Sequence, residues 1–295
     1  MKRTAVILLG RRHLYLALAL FQRSRSGDTD FEAAYQIGKT YQLLSEHELA
    51  EQHFRDALRF APADWSARAD AEGDLGTTLF EQHKFEEAET KFRESLRRKD
   101  SVDIRTRSIS TAYILGKNED VQRELGQLLK QPHPDPKIYL LAARVNLQSG
   151  NFPQTLVIIR QAVDDVPSES RGLFLDLARD LATGAISSYP PNPQTAKDAL
   201  DLILNYKGAA AAPGSVPNNL SDAVAFLIRG RAKLEIAENN AFTGVDDAAK
   251  DMEQAKMFTD GQPPDKRSHE LALVDLELAE AQFLDGKYSA AADLA

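Results

Sequence analysis

From Phe31 to Pro62 the apolar residues recur at three- and four-residue intervals, the spacing of helices that bury one face. In "YQIGKTYQLLSEHELAEQHFRDALRFAP" they are also graded by size: Gly38, Tyr41, Ala50, Phe54, Ala57 and Pro62 run small, aromatic, small, aromatic, small, proline. The pattern predicts two helices joined by a turn. Gly76, Leu79, Ala88, Phe92 and Ser95 repeat it 38 residues later. It recurs nearly whole in "YLLAARVNLQSGNFPQTLVIIRQAVDDVP", through Tyr139, Ala143, Gly150, Phe152, Ile159, Ala162 and Pro167.

Weaker copies extend the array. Residues 102–135 keep Gly116 at the turn, with Val121 and Leu125 after it, but lack the packing glycine. Residues 171–206 keep Phe174, Leu177, Ala178 and Leu181, and the insertion "SSYPPNP" predicts a long loop before Ala196, Leu200 and Ile203. Residues 223–258 place Phe226 and Gly230 before an enlarged turn, "ENNAFTG", then Ala248, Met252 and Ala255. A last copy carries Leu278, Ala279, Gly286, Tyr288 and Ala291 and stops at Ala295, partway through its second helix.

Two antiparallel helices approach to about 8–10 Å only where the side chains at the contact allow it. Gly38, Gly76 and Ala143 are therefore expected at crossings opposite Ala50, Ala88 and Thr155, with Phe54, Phe92 and Ile159 filling the gap toward the next unit. Pro62 and Pro167 end second helices because proline supplies no N–H for a further turn. A lone pair leaves apolar faces uncovered, and stacking covers them.

A helix–turn–helix unit recurring at about 34 residues with these small residues and this proline resembles the tetratricopeptide repeat. The resemblance covers most of residues 31–295, with Ala34 in place of the family's usual tryptophan. It implies an all-α, right-handed superhelical solenoid of stacked antiparallel helix pairs, with a concave groove lined by the first helix of each pair. The groove residues it implies are Tyr35, Lys39, Gln42, Thr77, Phe80, Ser110, Tyr113, Leu140, Arg144 and Leu147. Their mixture suits a peptide or helix: aromatics and leucines as apolar anchors, Lys39 and Arg144 for carboxylates. The carboxylate clamp of the chaperone-binding members is not expected. Tyr35, Lys39, Asp74 and Asp103 replace its residues, leaving only Arg107 in agreement, and Asp74 would repel the ligand.

A formal charge of -8 opposes the basic stripe that a nucleic acid requires. With no cysteine there is no disulfide, thiolate nucleophile or cysteine-ligated zinc. No G-x-S-x-G elbow, phosphate-binding glycine loop or H-E-x-x-H is present, and neither an enzyme activity nor a cofactor or metal is expected. His47 and His53 read as exposed polar positions. The pairs Glu86–Glu87, Asp164–Asp165 and Asp246–Asp247 read as acids near helix starts, where they favour the dipole.

At the N-terminus Lys2 and Arg3 precede the apolar run Thr4–Gly10, as in a secretory leader, but Arg11, Arg12 and His13 interrupt it. Leu14–Phe21 falls short of the roughly 18–20 residues that span a bilayer. Residues 1–30 thus read as a leader, a capping helix or, through residues 1–26, a membrane anchor; a cytoplasmic location is favoured over export or anchoring. Repeats are expected over 31–206 and 220–295, the last incomplete, separated by a linker or long loop, "KGAAAAPGSVPNN", at 207–219. The expected function is a non-enzymatic scaffold for a protein or peptide partner. The alternatives are a membrane-anchored bacterial envelope assembly component and the regulatory repeat region of a protein continuing past residue 295. An uncapped end face of Leu278, Phe283 and Tyr288 offers a route to dimerisation; the oligomeric state is not encoded.

Overall fold

The computed structural model describes residues 13–27, 29–206, 220–260 and 274–294. Every regular element among them is helical, and the chain divides into two compact units, Met1–Ile138 and Tyr139–Ala295. The linker expected at 207–219 and the apolar run Thr4–Gly10 lie outside the described residues.

The first unit opens with α1 (Leu14–Ser24), which buries Ala17 and Phe21 against Ile37 and Tyr41. Three antiparallel pairs follow: α2 (Phe31–Leu43) with α3 (His47–Phe60), α4 (Arg68–Glu81) with α5 (Phe85–Arg98), and α6 (Val102–Ile114) with α7 (Asn118–Leu128). Asp30 caps α2 by accepting from the Ala33 N–H at 3.1 Å. In α3 only Ala50, Phe54 and Ala57 are fully enclosed, one per turn, as the size pattern requires. α3 ends at Phe60, two residues before Pro62.

The small residues stand where the helices close. A Cβ on Gly38 would lie 2.8 Å from Phe54 Cδ1, and one on Gly76 2.7 Å from Phe92 Cδ1 and 3.3 Å from the Ala88 carbonyl. The aromatic rings therefore face the glycines of their own pair, as well as joining the core shared with the next. Gly73, which the size pattern does not single out, does the same toward the following pair: a Cβ there would sit 2.7 Å from Ile104 Cδ1.

The turns inside the pairs share one backbone device. Ser45, His83 and Gly116 adopt positive φ, and the N–H after each closes back on the helix, Glu46 to Tyr41, Lys84 to Leu79 and Lys117 to Ala112. This is a Schellman closure, which satisfies carbonyls left free at the helix end. Glycine suits it best, yet the first two turns use serine and histidine.

The second unit contains most of α8 (Pro136–Gln148), then α9 (Phe152–Asp165), α10 (Ser168–Ser187), α11 (Pro193–Tyr206), α12 (Leu220–Asn239), α13 (Val245–Asp260), α14 (Val274–Leu284) and α15 (Tyr288–Leu294). Ala143 and Thr155 are both fully buried, as is Ile159. The break expected through "SSYPPNP" falls where the sequence puts it but is short: α10 runs 20 residues to Ser187, leaving a connection of 188–192. The residues before it extend an amphipathic face, burying Ala182 and Ala185. Gly230 restores the close crossing; its Cβ would fall 2.8 Å from Met252 Cγ and 3.0 Å from the Ala248 carbonyl.

Two further expectations are corrected. Asp164 and Asp165 stand at the C-terminal end of α9, not near a helix start; Asp165 is held there by the Tyr139 hydroxyl. Leu278 is buried within α14 and is not part of an exposed end face, while Phe283 is largely exposed and the Tyr288 side chain lies outside the described residues.

Substitution of Gly38 by alanine is expected to lower stability by about 1–3 kcal/mol despite alanine's better helix propensity, since the Phe54 ring is enclosed and cannot retreat. Alanine at Gly126 in α7, where a Cβ meets nothing within 4 Å, is expected to raise it by about 0.5–1 kcal/mol. Urea unfolding of the two variants checks both signs; a stabilising Gly38→Ala contradicts the crossing.

Candidate functional site

The first helices α2, α4 and α6 stand side by side in the first unit, and one stripe from each makes a common face. Tyr35, Lys39 and Gln42 lie at four- and three-residue spacing on α2; Asp70, Asp74 and Thr77 on α4 and Asp103, Arg107 and Ser110 on α6 follow the same register. Phe80 and Tyr113 add one turn and are half-buried.

The stripes are joined through Asp74. The Tyr35 hydroxyl donates to its carboxylate at 2.9 Å. The Gln42 amide donates to the Asp74 carbonyl at 3.2 Å and to Thr78 Oγ1 at 3.1 Å. The Lys39 ammonium lies 5.4 Å from the centre of the Tyr35 ring, and Lys39 and Arg107 both act electrostatically on the Asp74 carboxyl. Burial nevertheless dominates and raises the Asp74 pKa above the usual carboxylate range, while burial beside Asp74 pushes the Tyr35 phenol upward.

The predicted groove residues of this unit differ in what they leave available. Tyr35 is 6% exposed, its ring packed edge-on to Trp65 at 5.3 Å and tilted against Phe54. It presents a hydroxyl, not a ring. Gln42 is committed to α4. Thr77 and Ser110 donate to carbonyls of their own helices, Gly73 and Thr106. Phe80 packs edge-on to Phe85 at 5.4 Å. Lys39 remains, and with it Arg107, a cation the groove prediction omits though it shares the stripe of Ser110. Among the described residues neither has a carboxylate within 4.0 Å.

Several cations elsewhere on the unit are paired, although Arg59 and Arg97 on the second helices have no carboxylate within 4.0 Å among the described residues. Arg55 meets Glu51 and Glu87 at 2.8 and 2.6 Å, Lys84 meets Glu51 at 2.8 Å, and Lys117 and Arg93 both meet Glu89. A cleft of about 440 Å³ lies among α5, α6 and α7, and its Arg105 is already held by Asp100 at 2.7 Å and Glu124 at 3.3 Å. Asp70 and Asp103 pair with Lys99 and Lys137.

The second unit holds its own row on α8. Leu140 and Leu147 are half-buried, Leu147 lying toward Gly184 of α10, and Arg144 is exposed. His47 and His53 are half-buried, correcting the exposed reading; His53 stacks on Tyr41 at 5.5 Å, and burial lowers its pKa. Among the described residues no cluster of three acidic or histidine side chains is arranged for a metal.

No family model matches the sequence, and no curated protein does. Solved structures resemble it at low identity. A tetratricopeptide repeat protein from Parabacteroides merdae matches at 15% identity and a TM-score of 0.48, over 91% of both chains. The C-terminal part of a repeat protein of the same kind from Cytophaga hutchinsonii matches at 12% and 0.42, over 100% of this chain and 99% of that one. The TPR2AB domain of yeast Sti1, solved with pHSP90, matches at 13% and 0.35, over 99% and 96%. The assignment of a tetratricopeptide-like fold rests on the packing itself: glycine under aromatic, pair after pair.

A carboxyl whose pKa is raised by folding favours the folded state below its unfolded pKa, and that contribution is lost as pH rises through the folded value. Asp74→Asn keeps an acceptor for Tyr35 and removes the loss. The variant is expected to gain stability relative to the parent between pH 4 and pH 7.5, measured as the difference in urea midpoint. A parent that gains on the variant over that range contradicts the burial argument.

Proposed function

We propose that the chain is a protein-interaction scaffold that holds a segment of a partner along the first-helix face of the first unit. Lys39 and Arg107 meet acidic side chains of the segment, and Phe80 and Tyr113 receive apolar ones. One observation carries this reading: Lys39 and Arg107 stand on one face with no carboxylate within 4.0 Å among the described residues, and Asp74, the acid between them, already accepts from the Tyr35 hydroxyl. The face keeps positive charge to offer in a protein whose net charge is -8, and charge complementarity of this kind orients a partner and selects among competitors. Leu140, Arg144 and Leu147 form a second, smaller row of the same character on α8. The repeat array supplies a surface and no chemistry of bond-making.

Peptides selected by display against the full chain are expected to combine acidic and apolar residues. Lys39→Glu with Arg107→Glu is expected to weaken the best of them roughly 10- to 100-fold by fluorescence anisotropy, with the urea midpoint little changed. Selection of basic peptides, or affinity unaltered by the double reversal, rules the reading out.

A further inference from the structure

α1 departs from its sister helices in what it shows to solvent. Its buried pair, Ala17 and Phe21, lies 33 residues before Ala50 and Phe54 of α3, and all four are enclosed to 1% or less. α1 therefore stands to α2 as α3 stands to α4, and its outward positions can be compared residue by residue. Tyr15, Leu16 and Ala19 of α1 correspond to Glu48, Leu49 and Gln52 of α3, and α5 has Glu86, Glu87 and Thr90 at the same places. At the position of Tyr15 both α3 and α5 carry glutamate, and at that of Leu16 they carry Leu49 and Glu87; α1 alone shows two large apolar side chains there, Tyr15, 77% exposed, and Leu16, 56% exposed.

The charge of this end of the chain is also reversed. Before Asp28 there is no acidic residue, whereas Lys2, Arg3, Arg11, Arg12, Arg23 and Arg25 are basic, in a chain whose net charge is -8. Arg23 in the last turn of α1 also suits the helix dipole, but the dipole accounts for neither Tyr15 nor Leu16 nor the cations before the helix. An exposed apolar face on a helix that ends in Arg23, within a stretch of sequence whose charges are all basic in a chain otherwise acidic, suits a surface that is apolar beneath and anionic above.

From this we infer that the outward face of α1, with Arg23 of the same helix, lies on an anionic lipid surface, Tyr15 and Leu16 entering the headgroup region. The contact made by α1 is peripheral and in the plane of the surface, since this 11-residue helix keeps Ala17 and Phe21 packed against α2. The acidic remainder is repelled by the same lipids, which turns the repeats outward. The inference is independent of the peptide-binding reading, because α1 contributes none of the residues of that face.

The test is sedimentation of the full chain with phosphatidylglycerol–phosphatidylcholine vesicles, beside vesicles of phosphatidylcholine alone. Binding is expected only to the anionic vesicles and is expected to fall steeply with salt. Tyr15→Glu with Leu16→Glu is expected to reduce it at least about 10-fold, and Arg23→Gln by roughly 5-fold. Glutamate is tolerated at the matching position Glu48 of α3, so an unchanged thermal midpoint and unchanged peptide affinity confirm an intact fold. Absence of binding to anionic vesicles overturns the inference, as does binding unaltered in the double variant. Light scattering that shows a concentration-dependent dimer, abolished by the same substitutions without any vesicle binding, overturns it in favour of a second copy of the chain.

Discussion

A missing methyl group organises the repeats of the first unit. At Gly38 and Gly76 the backbone of one helix lies directly against the face of an aromatic ring from its partner, and the distance is set by van der Waals contact with nothing between. Because Phe54 and Phe92 are also fully enclosed, each ring transmits that distance to the next pair. Any side chain at the glycine displaces both the partner helix and the ring it covers. Dense packing leaves no slack to absorb the displacement, so the crossing fixes where α2, α4 and α6 stand, and with them the stripe that joins Tyr35 to Asp74.

The crossings were legible because size is written directly in the letters: a glycine followed at fixed spacing by alanine and phenylalanine is what two closely crossing helices demand. Lengths were less legible. "SSYPPNP" marks the break between α10 and α11, but not how much helix precedes it: α10 runs 20 residues because those before the break bury alanine at helical spacing. Turn conformation was hidden for a different reason. Ser45 and His83 occupy the left-handed region that Gly116 and Gly150 advertise, and a short helix-to-helix connection can impose that backbone on residues that do not prefer it. Trp65, the sole tryptophan, lies outside the size pattern and still walls the ring of Tyr35. The site was half legible. Spacing placed Tyr35, Lys39 and Gln42 on one stripe, but whether a side chain on a stripe is spent inside the protein depends on its neighbour in the adjoining helix, and neighbours some forty residues away are not visible in one helix's period.

Charge divides the faces in the same way. A second helix meets only the outside of its neighbours, and the carboxylates of one, such as Glu51 and Glu89, answer the cations of the next, Lys84 and Lys117. Exposed pairs of this kind add little stability individually. The second unit shows the costly version. Arg229 is buried between Asp251, at 2.7 and 2.8 Å, and Asp201, at 2.9 Å, with Lys233 also on Asp251. So complete a network satisfies every partner and binds α11, α12 and α13 together, and it leaves nothing for a ligand.

Binding capacity in such an array therefore follows from incomplete satisfaction. Helices packed through small residues bring many side chains close, and most find partners as a consequence; the groups that do not are set apart by the same geometry. On the first-helix face the remainder is two cations, Lys39 and Arg107, with no carboxylate within 4.0 Å among the described residues. On α1 it is apolar surface, because Tyr15 and Leu16 face outward where α5 carries Glu86 and Glu87. Two chemically different surfaces arise from one repeated fold without any change in its packing rule, since the rule constrains only the faces that touch.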